Sequence, residues 1–89
     1  MTEPYRSTAV FDETTLPAAL RAEHSTKAGV WGMVRVLEGR LKLTWLDPEG
    51  EAILTPDTPG LLHPQQPHFV TPLGPVKMRV EFYTGPPDG

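Results

Sequence analysis

Apolar and polar residues alternate with a period of two in short runs, and prolines and glycines punctuate them. The cleanest run is 76–83. There Val76, Met78, Val80 and Phe82 fall on one face, and Lys77, Arg79, Glu81 and Tyr83 on the other. In 40–46, Leu41, Leu43 and Trp45 alternate with Lys42 and Thr44, which predicts a strand with one buried and one wet face. Residues 30–37 are β-branched and aromatic enough for its partner strand. Glu38-Gly39 predicts the turn between the two, with Gly39 at a positive φ that a Cβ resists. Asp47-Pro48-Glu49-Gly50 predicts a second turn, because Pro presets one torsion and Gly relieves strain at the end. Residues 51–54 form the next strand.

The stretch 59–70 organises the chain. It opens on the turn signal Pro59-Gly60, continues through Leu61-Leu62-His63, and turns again at Pro64 and Pro67 before His68-Phe69-Val70 starts a strand. An imidazole therefore sits beside a rigid, proline-framed turn. Residues 14–25 carry two signals. Thr14, Thr15 and Pro17 suit the start of a short helix, whereas Leu20, Ala22 and His24 alternate with Arg21, Glu23 and Ser25. The strand is favoured, with His24 pointing inward between apolar neighbours. Residues 1–12 read as an extended arm with a short strand near 8–11, and 84–89 as a Pro/Gly-rich tail.

With 89 residues the chain is expected to be a single domain with a core of about 16–83. Its eleven prolines and eight glycines separate strand-length segments, the pattern of an all-β barrel or sandwich. The absence of cysteine excludes disulfides and thiolate metal sites. A net charge of -3 argues against a nucleic-acid surface. No apolar run is long enough for a membrane span, and the N-terminus lacks an apolar leader. A cytoplasmic protein is expected. So small a barrel has little core and exposes strand edges, so a homodimer is expected as well.

Neither serine lies in a nucleophile-elbow context, and no glycine-rich loop precedes a helix. What remains is His24, His63, His68 and Glu81. Two imidazoles and a carboxylate can fill three adjacent positions on a divalent metal and leave others open. Against this, a partly buried histidine also suits an ordinary packing role, and Glu81 shares the polar face of its strand.

Four pieces in order resemble a known family. They are His24 through Gly32, Val36-Leu37-Glu38-Gly39-Arg40-Leu41, Pro59-Gly60 through His68, and Val80-Glu81-Phe82-Tyr83. Together they are similar to the tellurite-resistance-associated TehB/YeaR-like small cupin domains. The resemblance implies a cupin-type double-stranded β-helix, a jelly-roll barrel. It also implies His24, His68 and Glu81 as ligands of a divalent metal such as zinc, iron or nickel. His68 matches the histidine of the second cupin motif. The paired histidines of the first motif are missing, with only His24 there and Lys27 nearby.

The expectation is thus a small metal-binding cupin acting on a small-molecule or oxyanion ligand, in tellurite or nitrogen-oxide stress. Trp31, Trp45, Phe69 and Phe82 would wall its pocket or core. A metal-free binding or dimerisation module is the alternative, and an isomerase with His68 as general base a third reading.

Overall fold

The computed structural model describes residues 3–47 and 49–87. Six strands and one short 3-10 turn make up its regular structure: β1 (Arg6–Ser7), β2 (Phe11–Asp12), the turn Ala18–Arg21, β3 (Trp31–Leu46), β4 (Glu49–Leu54), β5 (Gly60–Leu62) and β6 (His68–Tyr83). Every pairing is antiparallel. The protein is therefore all-β. Among the described residues no helix is long and apolar enough to cross a membrane.

The frame is a ribbon of β3 and β6, paired from Trp31↔Tyr83 at one end to Trp45↔His68 at the other. Here the structure corrects an expected turn. Glu38-Gly39 is not a hairpin turn, because β3 runs through it with register shifts between Val36 and Glu38 and between Gly39 and Leu41. Gly39 does take a positive φ of 81°. Across the ribbon Gly74, at φ 125°, lets β6 continue past Pro72 and Pro75. Extra residues of this kind bend and twist a strand. The ribbon's first half pairs with β5 and its second half with β4.

Side chains from both halves share one core. Val34 and Val36 meet Leu41, Leu43, Leu54, Leu62, Val70, Val76, Met78 and Val80 in a single cluster. Leu41 and Leu43 are fully buried, and each such side chain stabilises the fold by about 1.5–3 kcal/mol. Gly60 is required by this packing, since a Cβ there would lie 2.6 Å from Leu43 Cδ2 and 2.9 Å from Leu54 Cδ1.

The N-terminal arm closes on its own chain. β1 and β2 both pair with β6, at Arg6↔Phe82 and Phe11↔Met78. Asp12 then caps the turn that follows, accepting from the backbone N–H groups of Thr14 (2.8 Å) and Thr15 (2.9 Å) and from the Thr14 hydroxyl (2.7 Å). These bonds, the Thr14 hydroxyl first, hold its carboxyl down to about 2. Residues 14–25 are not the expected strand. They contain the 3-10 turn and one isolated bridge, His24↔His68. Proline at 17 and the alanines favour a turn, and only His24 at the end of the segment forms a backbone bridge to β6. The expected turn residue Pro48 lies outside the described residues; β4 begins directly after it, at Glu49.

Candidate functional site

His68 is the first residue of β6 and is 1% exposed. The backbone delivers His24 to it: His24 N–H donates to the His68 carbonyl at 3.0 Å, and His68 N–H to the His24 carbonyl at 2.9 Å. The two rings stand edge to face with centroids 4.2 Å apart, and their Nε2 atoms are 3.0 Å apart. Each Nδ1 is 2.8–3.1 Å from a backbone carbonyl, that of Gln66 for His68 and that of Ala22 for His24. Burial pushes the pKa of His68 down. Its bond to the Gln66 carbonyl works the other way, and the neighbouring His24 adds to the lowering.

This pair lies in the wall of a cavity of about 300 Å³. Leu20, Val34, Leu62, Met78, Val80 and Phe82 supply apolar lining. The size is at the lower end of the range for small-molecule sites, which are mostly apolar with a few placed polar groups. Lys27 and Arg6 line it as well, and among the described residues no aspartate or glutamate does. Lys27 is noted from sequence only as lying near His24, and Arg6, in an arm, does not stand out; no periodicity aims either at a cavity.

Glu81 is elsewhere. It accepts from Arg35 Nε at 2.9 Å, from Arg79 Nη2 at 3.1 Å and from the Tyr83 hydroxyl at 2.9 Å. Its neighbours Val80 and Phe82 line the cavity, so strand alternation turns Glu81 to the opposite face. Burial alone would raise its pKa, but the bonds from Arg35 and Tyr83, the charge of Arg35 and the bond from Arg79 hold it below the ordinary carboxylate value. The same carboxylate, through its hydrogen bond, raises Arg35 further. For Tyr83, burial and the bond to Glu81 raise the phenol.

The remaining candidates separate similarly. His63 is exposed and packs at a tilt against Trp31, with ring centroids 4.8 Å apart, and is not part of the cavity lining. Trp45 packs against the core and donates its indole N–H to the Leu61 carbonyl at 3.1 Å. Of the four aromatics expected to wall the pocket or core, Phe82 lines the pocket, and Trp45 and Phe82 pack against the core. The structure thus brings His24 and His68 together and adds Lys27 and Arg6, while Glu81 and His63 stay apart.

Fold and site together define a small antiparallel β-domain with a cationic, apolar-walled pocket. The sequence matches the TehB-like domain over residues 6–80, and the chain belongs to that family. Two relatives from Haemophilus influenzae strains, each named as a probable S-adenosyl-L-methionine-dependent methyltransferase TehB, are 37% identical over 49 residues and 34% identical over 58. Those matches take in 55% and 61% of this chain but only 17% and 20% of the relatives. The crystal structure of TehB from Haemophilus influenzae superposes with a TM-score of 0.81 at 30% identity, over 90% of this chain and 30% of that one. A protein from Escherichia coli strain K12 is alike in fold at TM-score 0.84 and 19% identity, over 97% of this chain and 93% of that one.

These findings correct the expected metal-binding function and the expected divalent-metal cofactor. The relatives are named for a cofactor of another kind, S-adenosyl-L-methionine. Among the described residues no group of three His, Asp or Glu side chains is placed to hold a metal ion. The reason is physical: the carboxylate meant to complete the set faces away and is already engaged by two arginines and a tyrosine.

Proposed function

We propose that this chain is a small-molecule-binding domain of the jelly-roll cupin type, serving in the cytoplasm alongside a methyl transfer that uses S-adenosyl-L-methionine. The observation that carries the reading is the cavity of about 300 Å³ with an imidazole pair in its wall, His68 buried and His24 half-buried. Methyl transfer itself we assign to the part of the relatives outside the match, which takes in 17–20% of their length in sequence and 30% of the superposed TehB structure. The described strands pair antiparallel throughout and include no strand–helix–strand unit with a glycine-rich turn, the usual nucleotide cradle. The domain would gather a substrate for that chemistry or report its presence. A homodimer is part of the proposal; β4 is hydrogen-bonded to β3 alone and exposes Ile53, which supports it.

Thermal melts of chelator-treated protein against a panel of small neutral, cationic and anionic organic molecules test the binding role. At least one class should raise the melting temperature in a saturable way. Leu20→Trp, which places a bulky ring at the half-buried pocket wall, should remove that shift. A panel with no saturable binder, or shifts that Leu20→Trp leaves intact, would overturn the reading.

A further inference from the structure

The first half of the β3–β6 ribbon has an outer face, turned away from the cavity. Lys77, Arg79 and Glu81 of β6 alternate with core residues, so they lie on it with their β3 partners Glu38, Arg35 and Met33. The charges of this face fall in two rows. In one, Arg35 and Arg79 stand directly opposite each other across the ribbon, an arrangement of like charges that costs stability. Glu81 pairs with both and leaves one positive charge in excess. Its Oε1 is taken by Arg35 and Tyr83 and its Oε2 by Arg79 Nη2, while Arg79 Nε is buried without an acceptor. The arginine pair is thus short of acceptors.

In the neighbouring row Lys77 lies between Glu38 of β3, 3.1 Å away, and Asp12 of β2, its register partner. This row has one negative charge in excess. Leu37 separates the two rows on β3. It is the unpaired residue of the bulge between Val36, which enters the core, and Glu38, and it stays 41% exposed. A single exposed leucine is ordinary on a protein surface. One set between two rows of opposite excess charge, on a sheet face, has the make-up of an interface centre.

Building on the homodimer proposed above, we propose that a second copy of the chain packs on this face, about a twofold axis that lies in the contact plane and crosses β3 at Leu37. Such a contact is isologous. It sets Leu37 against the partner's Leu37 and lays each positive row over the partner's negative row. Arg35 then reaches the partner's Glu38, and the partner's Arg35 reaches Glu38, so one pairing is made twice. The acceptors that the arginine pair lacks come from the other chain. The charge pattern favours a second copy over a different partner, because the face is complementary to itself. A uniformly acidic surface would meet Glu38 and Asp12, and a uniformly basic one the two arginines. The open β4 edge is the rival interface.

The chain has no cysteine, so single introduced cysteines report proximity without background. A residue on a twofold axis sits beside its own copy, within the Cα separation of about 4.4–6.8 Å that a disulfide spans. With oxidised glutathione as oxidant, Leu37→Cys at about 10–100 μM, near common association constants, should become almost wholly a covalent dimer. Ile53→Cys on β4 should stay largely uncrosslinked. In sedimentation equilibrium Leu37→Asp should raise the dimer Kd about a hundredfold or more, because two carboxylates would then face each other. Glu38→Lys should raise it about tenfold, whereas Glu51→Lys, in the exposed pair with Lys42 on the other half of the ribbon, should leave it unchanged. Leu37, Glu38 and Glu51 are all exposed, so circular dichroism of these variants should match the parent and separate lost assembly from unfolding. A dimer that crosslinks through Ile53→Cys and not Leu37→Cys, or that Leu37→Asp leaves intact, would overturn the inference while the homodimer stands. A monomer at every concentration would overturn both.

Discussion

Gly39 offers a test of the bent ribbon in which conformation and crowding can be separated. Its φ is 81°, and a Cβ there would collide with the Pro75 carbonyl oxygen and lie 3.1 Å from Val76 Cα. Both obstacles are backbone atoms of β6, so no side-chain rotation relieves them. Gly29 has nearly the same φ, 78°, but a Cβ there meets nothing within 4 Å. Gly29→Ala therefore reports the left-handed strain alone, about 1–2 kcal/mol. Gly39→Ala adds the displacement of β6. The Gly39↔Val76 pairing must open, at about 1 kcal/mol for a lost backbone hydrogen bond. Val76, 2% exposed, must also loosen from the core, at about 1 kcal/mol more for partial exposure. The expected loss is about 3–4 kcal/mol. At about 4–8 °C per kcal/mol for a domain of this size, the melting temperature should fall by about 12–32 °C, against about 4–16 °C for Gly29→Ala. Calorimetric melts of the two variants and the parent decide it. Equal losses would refute the claim that β6 backbone crowds Gly39.

Removing the Glu81 charge should weaken the outer face without touching the pocket. Glu81→Gln is expected to cost about 1–3 kcal/mol in urea unfolding, and small-ligand binding should be unchanged. Because the folded pKa of Glu81 is lowered, its contribution is present above the unfolded value of 4.5 and is lost as pH falls through the folded value. The acid limb of the stability profile should therefore flatten in Glu81→Gln; an identical limb would show that the ion pairs contribute nothing. Gly60→Ala should cost about 1–3 kcal/mol through overpacking against Leu43 and Leu54, and an unchanged melting curve would show that these side chains yield freely. Sedimentation equilibrium at about 10–100 μM, a range near common association constants, should show a dimer. A monomer throughout would remove the homodimer from the proposal.

Much of the fold is legible locally. Period-two alternation in 76–83 and 41–45 names the residues that become core, because a strand with one buried face has no other way to arrange its side chains. That same alternation sets Glu81 opposite Val80 and Phe82. The expectation that it joined the histidines came from resemblance to cupins that carry a metal, and the pleat of β6 overrides it. Glu38-Gly39 shows the limit of reading a turn from two residues. Glycine signals a positive φ, which is correct, but whether the chain then reverses or continues through a bulge depends on a partner strand 37 positions away at Val76.

The pocket belongs to tertiary structure. Residues 14–25 have competing helix and strand signals because distant contacts settle them: Leu16 and Leu20 pack on the core, and His24 bridges to His68, 44 positions on. Lys27 and Arg6 carry no local mark of their role, being brought to the cavity by a loop and by an arm that pairs with β6. Side-chain periodicity records which face of a strand avoids water. It holds no record of which distant faces close around the same space, since that depends on register and on the bend of the β3–β6 ribbon.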